Sequence, residues 1–308
     1  MAFQVVKLGE YCFVVGGCKA SRENTNYDED YEDSRAPEVN VSKKVFRYDP
    51  KENQWENLEN MPIGRYNHSC FVYQKKIVVI GGQDGQNKLV KPIEMYDPEQ
   101  NSWSTIGEMK WSRIHFASAL YLDTIWLIGG IKKIDVGPTS VVESFNLETG
   151  EWKRQPPLPS PTMNSAAVAW RDQLFNIGGR EKLPSDEYIS TDKISMYKAM
   201  DNIWQVLASI SVPRHNLNAL IANDRIYILG GEQRVSDEVK NVELSIITEN
   251  SRLDQLESFL LNALILKTSD YLLLFRPCHC IQDFRHLLLC DYCIYLFFSK
   301  FFKGSIIA

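Results

Sequence analysis

Three histidines are the side chains whose type and spacing could build a reactive centre. His68, His115 and His215 each follow a tryptophan, at distances of 13, 12 and 11 positions. Imidazoles gathered on one face could hold a transition metal, but the unequal offsets predict rings that point in different directions. The chain also has no Ser-His-Asp spacing and no glycine-rich phosphate loop. We therefore expect no catalytic residues, no bound metal or other cofactor, and a protein that is not an enzyme.

Residues 253–308 hold a second group of possible metal ligands, in a segment crowded with Leu, Phe and Cys. Thiolates and imidazoles suit zinc, although the first cysteine pair is closer than in a usual zinc knuckle and turn residues are lacking. The ligands would be Cys278, Cys280, Cys290 and Cys293 with His279 and His286. We favour ordinary thiols and keep zinc as the alternative. Charged residues interrupt every apolar run before the roughly 20 residues that a membrane helix needs, so we expect no membrane span.

An acidic segment, residues 21–38, lies between two apolar stretches near the start of the chain. A run of charge with few apolar residues is usually a solvated loop, which is the interpretation we favour. Contact with a basic partner and binding of a calcium-like cation are the alternatives. The spaced Asp, Gly and Glu of an EF-hand are absent from the segment.

Bulk composition excludes several classes of partner and compartment. The net charge is −5 and the sequence pI is near 5.7, with no basic stripe, so no nucleic-acid partner is expected. Only Cys12, Cys18 and Cys70 precede Cys278, which argues against a disulfide framework in the greater part of the chain. The first residues lack the features of a secretory signal. We expect a cytoplasmic protein.

A repeat of about fifty residues organises the chain up to residue 252. When each of four tryptophans is counted as position 0, an aromatic residue stands at position −7 and the second glycine of a Gly-Gly pair stands at position +27. We interpret these positions as scaffold, with each glycine small enough for the Tyr and Trp rings of its own repeat to lie against it. The scaffold positions are Gly16, Gly17, Tyr48, Trp55, Gly81, Gly82, Tyr96, Trp103, Gly129, Gly130, Phe145, Trp152, Gly178, Gly179, Tyr197, Trp204, Gly230 and Gly231.

Each repeat contains four short, turn-bounded apolar runs that predict β-strands, and a repeat of this length is typical of a propeller blade. Gly-Gly is followed by Tyr-Asp-Pro at 48–50 and 96–98, then by Trp, then by Met-Pro-x-x-Arg at 61–65. This succession resembles the kelch repeat. The resemblance implies an all-β kelch propeller.

The fifth repeat loses its key residues, because Ser245 and Arg252 stand where Tyr and Trp are expected. We therefore expect four complete blades and a partial fifth over residues 1–252, in an incomplete ring. Residues 253–308 are interpreted as a non-kelch hydrophobic tail of uncertain structure, and the chain as a truncated or aberrantly terminated member of its family.

The resemblance to animal kelch-like proteins implies a protein-protein interaction module. In that family BTB and BACK domains hold a cullin-RING ubiquitin ligase while the propeller holds the substrate. We expect this chain to bind a protein or peptide substrate and to reach a ligase only if BTB and BACK are supplied elsewhere. Binding to actin or the cytoskeleton is the alternative, and a metal-dependent oxidase of the kelch type is a third, less favoured one.

Two sets of loop residues are expected to share one face and contact the partner. One set follows each Gly-Gly pair, and the other follows the arginine at position +10 from the repeat tryptophan. We interpret Arg65, Arg113 and Arg214 themselves as structural residues that form bonds between blades. By resemblance the contacts are Tyr66, Asn67, Gln83, Asp84, Ile114, His115, Lys132, Met163, Asn164, Arg180, His215, Asn216 and Glu232, with Cys18 and Ile131 at the corresponding loop positions.

Overall fold

The computed structural model describes residues 3–19, 40–132, 137–222, 224–234, 237–238, 242–245 and 259–261. In these ranges every regular element is a β-strand. Four antiparallel sheets of four strands follow one another along the chain, one per repeat, and a fifth sheet comes after them. The acidic segment 21–38 and the possible zinc ligands of the tail lie outside the described residues.

The strands are numbered in chain order, and within a blade they pair in that order. Blade 1 comprises β1 Gln4–Leu8, β2 Tyr11–Val15, β5 Val45–Asp49 and β6 Gln54–Leu58, with a small hairpin of β3 Cys18–Lys19 and β4 Asn40–Val41. Blade 2 comprises β7 Tyr66–Tyr73, β8 Lys76–Gln83, β9 Pro92–Asp97 and β10 Ser102–Glu108. Blade 3 comprises β11 Ala117–Tyr121, β12 Thr124–Ile128, β13 Val142–Asn146 and β14 Trp152–Gln155.

Blade 4 comprises β15 Ala166–Trp170, β16 Gln173–Ile177, β19 Lys193–Lys198 and β20 Ile203–Ser209, with a hairpin of β17 Arg180–Lys182 and β18 Tyr188–Ser190. The fifth sheet comprises β21 His215–Ala222, β22 Arg225–Arg234, β24 Val242–Ser245 and β25 Phe259–Leu261, while β23 Asp237–Glu238 pairs with β22. These sheets confirm the four predicted blades and the partial fifth. The domain boundary predicted at residue 252 stays a prediction, and β25 lies beyond it.

The first strands of successive blades stand side by side. Contacts join β1 to β7, β7 to β11, β11 to β15, and β15 to β21. The second strand of each blade is covered on both faces and is therefore almost wholly apolar, as in the run from Ile77 to Ile80, which is fully buried. The hydrophobic core lies between blades, where Ile80 and Ile93 of blade 2 meet Leu127 and Phe145 of blade 3.

The repeated aromatic residues form cross-strand pairs between the third and fourth strands. Ring centroids lie 4.6 Å apart for Tyr48–Trp55, 5.1 Å for Tyr96–Trp103, 5.1 Å for Phe145–Trp152 and 5.6 Å for Tyr197–Trp204. Each tyrosine hydroxyl of these pairs also donates to an asparagine in the adjoining turn, at 2.9, 2.7 and 2.7 Å. Stacking and hydrogen bonding thus fix each turn to its strands.

The Gly-Gly pairs pack differently from our expectation, and that prediction was wrong. The atoms nearest to a Cβ built on Gly129 are backbone atoms of Thr162 and Thr139, with the Thr162 oxygen at 2.2 Å. At Gly16 the nearest atom is the Arg65 carbonyl oxygen, at 2.7 Å. At Gly16 and Gly129 the close approach is therefore by the backbone of the next blade, and at Gly81 it is by the Phe116 ring of the next blade. The Tyr and Trp rings of the same repeat are not the reason that glycine is needed at these positions.

Gly129→Ala should destabilise the protein far more than Gly150→Ala. Both glycines have positive φ, +63° and +71°, but a Cβ on Gly150 meets nothing within 4 Å. The control substitution should cost only the left-handed backbone penalty, roughly 1–2 kcal/mol. Gly129→Ala should cost about 2 kcal/mol more, because the next blade must move away. Urea denaturation measures both free energies of unfolding, and equal losses would contradict the close approach.

Candidate binding face

The two predicted loop sets meet at one end of the blades. In each of blades 2 to 5 the first residue after the arginine position pairs, across the first two strands, with the first residue after Gly-Gly. The pairs are Tyr66–Gln83, Ile114–Ile131, Met163–Arg180 and His215–Glu232. The sequence-predicted residues of both sets are therefore brought together, although contact with a partner stays a prediction.

Four of the predicted contact residues share a left-handed backbone conformation. Their φ angles are 53° at Asn67, 55° at His115, 54° at Asn164 and 53° at Asn216, the same position in four successive blades. Asn and His tolerate this conformation better than most residues. The backbone also links these positions, because Asn164 N donates to His115 O at 2.7 Å and Asn216 N to Asn164 O at 2.9 Å. Their residue types are thus explained by the scaffold.

Four other predicted contact residues have buried side chains, namely Gln83, Ile114, Met163 and His215. His215 is tied into the interior: its Nδ1 lies 2.8 Å from Ser190 Oγ and its Nε2 lies 3.6 Å from Glu232 Oε2. With almost no accessible surface, these four offer little for a partner to touch, and we leave them out of the proposed contact surface.

Asp84 and Tyr66 serve the loop that follows the second Gly-Gly pair. Asp84 Oδ1 accepts from Gln86 N and Lys88 N, both at 2.9 Å. Tyr66 Oη donates to Asn87 Oδ1 at 2.8 Å. An Asp that accepts from backbone amides shortly after it in the chain is typical of a tight turn. The principal role that the structure shows for both residues is to hold this loop.

Exposed aromatic rings flanked by cations lie at the same end of blades 3 and 4. Trp111 is 45% exposed, and the ammonium groups of Lys110 and Lys132 lie 4.7 and 5.2 Å from its ring. Tyr188 is 37% exposed, with Arg180 and Lys182 at 5.3 and 5.9 Å. We call this surface the basic–aromatic face; it consists of Lys110, Trp111, Lys132, Arg180, Lys182 and Tyr188.

Sequence reasoning found Lys132 and Arg180 but missed Trp111 and Tyr188. Trp111 stands two positions before Arg113, where the other repeats have Ile63, Ser160 or Val212. A tryptophan out of register with the repeat was the available signal. Tyr188 belongs to the β17–β18 hairpin, whose residues fall between the fixed positions of the repeat.

Burial and charged neighbours perturb Lys132 of the basic–aromatic face. Burial lowers the pKa of Lys132 to about 8, and the neighbouring charges of Arg113 and Arg154 contribute to that shift. Lys132 Nζ lies 3.9 Å from a buried carboxylate oxygen of Glu143. A further carboxylate supplied by a partner would favour the charged form of this lysine.

The repeat arginines lie buried directly beneath the loops. Arg65 Nη1 donates to Gly81 O at 3.2 Å and to Pro92 O at 3.1 Å, while Nη2 contacts Glu94. In blade 3, Arg113 Nη1 donates to Gly129 O at 3.1 Å and to Val141 O at 3.0 Å, and its Nη2 contacts Glu143. Arg214 Nη1 donates to Gly230 O at 3.2 Å. The arginines thus have structural bonds, as expected, but the prediction that these bonds run between blades was wrong, because each side chain joins strands of its own blade.

Comparison with known proteins identifies this arrangement. The family model of the KLHDC2/KLHL20/DRC7 Kelch-repeats domain matches residues 2–231. The chain belongs to the kelch-repeat family. Its fold resembles that of a solved protein titled "Structure of YjhT", with a TM-score of 0.69 and 20% identity over 85% of this chain and 84% of that one.

Several curated kelch proteins resemble parts of the chain. Alpha-scruin of Limulus polyphemus is 28% identical over 65% of this chain and 22% of its own length. Kelch-like ECH-associated protein 1B of Danio rerio is 33% identical over 30% of this chain and 16% of its own length. Human Kelch repeat and BTB domain-containing protein 12 is 30% identical over 30% and 16%. The matched segments thus span well under half of these relatives. The kelch propeller is a protein-interaction module.

The three histidines of the kelch propeller do not form a metal site in the structure. His68 and His215 are buried, whereas His115 is partly exposed at its left-handed position. Within the part of the chain that the structure describes, no group of three or more His, Cys, Asp or Glu side chains could hold a metal ion. In the same residues no helix has the length and apolar character to cross a membrane.

Glu143→Ser should cost about 3–5 kcal/mol of stability, because it leaves the buried Arg113 guanidinium without its carboxylate. Adding Arg113→Thr should recover part of that loss, since the unpaired charge is then gone and blade 4 already has Thr and Ser at these two positions. The free energies of unfolding of the single and double variants test this. A double variant less stable than Glu143→Ser alone would contradict it.

Stability should fall as the pH is lowered from 7 to 5. Burial lowers the pKa of His68 to about 3 and that of His215 to about 4, with Arg65 and Arg180 adding to the shifts. Below pH 6.5 the two histidines are therefore protonated in the unfolded chain but stay neutral in the folded chain. Each histidine then lowers the free energy of unfolding by about 1.4 kcal/mol per pH unit. Denaturation of a His68→Phe variant should show a shallower slope against pH; an unchanged slope would contradict the assignment to His68.

Proposed function

We propose that the kelch propeller binds an acidic segment of a partner protein on its basic–aromatic face, and that it acts by binding without catalysing a reaction. The observation that carries this proposal is Trp111, a large aromatic ring that stands 45% exposed between two ammonium groups on the loop end of the propeller. It lies there in a chain whose net charge is −5.

The chemistry of this face suits such a partner. Tryptophan, tyrosine and arginine are the residue types that most often dominate binding energy at interfaces. Lysine and arginine side chains form charge-assisted hydrogen bonds with carboxylates. The rings already hold their neighbouring cations in place, which lowers the entropy lost when a partner's carboxylates pair with them.

We further propose that the propeller recognises substrates for a cullin-RING ubiquitin ligase in the cytoplasm, with the BTB and BACK functions supplied by another segment or chain. The family membership supports this role, as does the partial match to a relative whose name joins kelch repeats to a BTB domain. Affinity capture of the chain from cells should recover a cullin. Co-sedimentation with actin filaments without recovery of a cullin would instead favour the cytoskeletal alternative.

Selection from a random-peptide display library tests the binding face itself. Peptides rich in Asp and Glu should be enriched, and Trp111→Ala should weaken their binding at least tenfold because the central ring is lost. Met200→Ala is the matched control, since Met200 is fully exposed in the turn between β19 and β20, at the other end of blade 4. Equal losses in both variants, or enrichment of basic peptides, would contradict the proposal.

Binding of such a peptide should weaken between pH 7 and pH 9. Lys132, whose pKa is about 8, loses its charge over this range and no longer attracts a carboxylate. Lys132→Arg should remove most of this pH dependence, because a guanidinium stays protonated. Isothermal titration calorimetry measures both affinities. A wild-type affinity that does not change with pH would show that Lys132 takes no part.

A further inference from the structure

Blade 4 lacks the buried ion pair of its neighbours. Thr162 occupies the position of Arg65 and Arg113, which is position +10 from the repeat tryptophan. Ser195 occupies the position of Glu94 and Glu143, which is two positions before the repeat aromatic. The cation and the carboxylate are thus replaced together, which avoids an unpaired buried charge.

Two more positions around the missing pair have become polar. Asn176 stands where blades 2 and 3 have Val79 and Leu127, and Lys193 stands where they have Pro92 and Val141. Asn176 is buried and its Oδ1 accepts from Ser165 Oγ at 2.8 Å. Among the described residues, the Ser195 hydroxyl and the Asn176 amide nitrogen have no hydrogen-bond partner, although solvent in the cleft reaches both atoms.

In blade 4 a backbone carbonyl also lacks the hydrogen-bond donor that the repeat arginine supplies in the other blades. Gly81 O, Gly129 O and Gly230 O each accept from an arginine Nη1, at 3.2, 3.1 and 3.2 Å. Gly178 O is their counterpart in blade 4. Gly178 is buried, and none of the described residues donates to its oxygen. An unsatisfied buried carbonyl costs free energy, so this atom favours a donor from outside the blade.

A polar cleft occupies the space that the arginine fills elsewhere. Its enclosed volume is only about 10 Å³, room for about one water molecule, and about 210 Å³ when the open mouth is included. Its lining includes Ser160, Thr162, Asn176, Gly178 and Ser195. The ion pair of Lys193 and Glu181 also lines the cleft, with Nζ at 2.9 and 3.0 Å from the two carboxylate oxygens. Ser160 Oγ also donates to Glu181, at 2.8 Å.

We propose that this cleft receives the guanidinium of an arginine on the bound partner, an inference that rests on the proposed function. One nitrogen donates to Gly178 O, as the chain's own arginines do in the other blades, and the fork pairs with Glu181. The enclosed part of the cleft is narrow, so Lys193 must turn out into solvent. Its side chain is 41% exposed. Glu181 is only 16% exposed, so it needs a cation, and the arginine replaces Lys193 in that role without leaving the carboxylate unpaired.

An arginine site in blade 4 adds a second requirement for binding to the face. Carboxylates of the partner would lie over the Lys132 and Trp111 side of the face, and an arginine would enter blade 4. The recognised segment therefore carries both signs of charge, and a wholly acidic segment would leave the cleft unused.

The direct test is a titration of the full-length, ¹⁵N-labelled chain with N-acetyl-arginine methylamide, followed by NMR at the backbone amides of Gly178, Gly179 and Thr191. Saturable shifts confined to these amides are expected. N-acetyl-citrulline methylamide, which has nearly the same shape without the charge, should bind at least tenfold more weakly. This probe needs no partner protein, so a failed peptide selection would leave this result standing, and the reverse also holds.

Two variants decide the outcome. Thr162→Arg with Ser195→Glu rebuilds the pair found in blades 2 and 3 and fills the cleft, so the arginine shifts should disappear while the thermal melt is retained. Glu181→Gln keeps the cleft and should weaken arginine binding at least tenfold, which tests the proposal even if the double variant does not fold. Equal binding of citrulline, or no saturable shift, would mean that Lys193 is the only cation this cleft accommodates and would overturn the proposal.

Discussion

One backbone hydrogen bond between blades constrains the rest of the structure. At three of the four junctions between the described blades, the amide of the second glycine in a Gly-Gly pair donates to the carbonyl at the arginine position of the next blade. The bonds run from Gly17 to Arg65 at 2.9 Å, from Gly130 to Thr162 at 2.8 Å and from Gly179 to Arg214 at 2.8 Å. For the amide to reach that carbonyl, the first glycine must lie where a Cβ would collide with the next blade.

This constraint explains why blade 4 tolerates the loss of its arginine. The link between blades uses the main-chain carbonyl, which Thr162 supplies as well as arginine does. The side chain serves a separate purpose, since in blades 2 and 3 it binds strands of its own blade through Gly81 or Gly129. The side chain can therefore change while the ring of blades is kept, and that freedom opens a cleft on the binding face.

The sequence predicted the blades well because their aromatic pairs are local. Tyr96 and Trp103 face each other across one turn, so a fixed spacing along the chain reports the contact. Contacts between blades leave no such fixed spacing in the sequence. For this reason the sequence-based explanation of the Gly-Gly pairs was wrong. The contact at Gly129 comes from Thr162, one repeat further along.

The sequence predicted where the candidate binding face lies, but it predicted only some of the residues that form it. Asn67 and Asn216 stand out in the sequence as variable loop residues, yet the left-handed backbone explains their type. Trp111, the residue that best fits a partner, was missed because it differs in type from Ile63, Ser160 and Val212 at the same repeat position, which carries no kelch signature. In a repeat protein, deviation from the pattern marks the functional positions once the pattern has been assigned to the scaffold.

Native-state hydrogen exchange at Gly17, Gly130 and Gly179 tests the central claim most directly. If these amides hold the blades together, they should exchange only through global unfolding, with protection equal to that of the buried second strands. The amides of Asn87 and Asp186, which close surface turns, give the reference for local opening. Exchange of the three glycine amides as fast as in those turns would contradict the account.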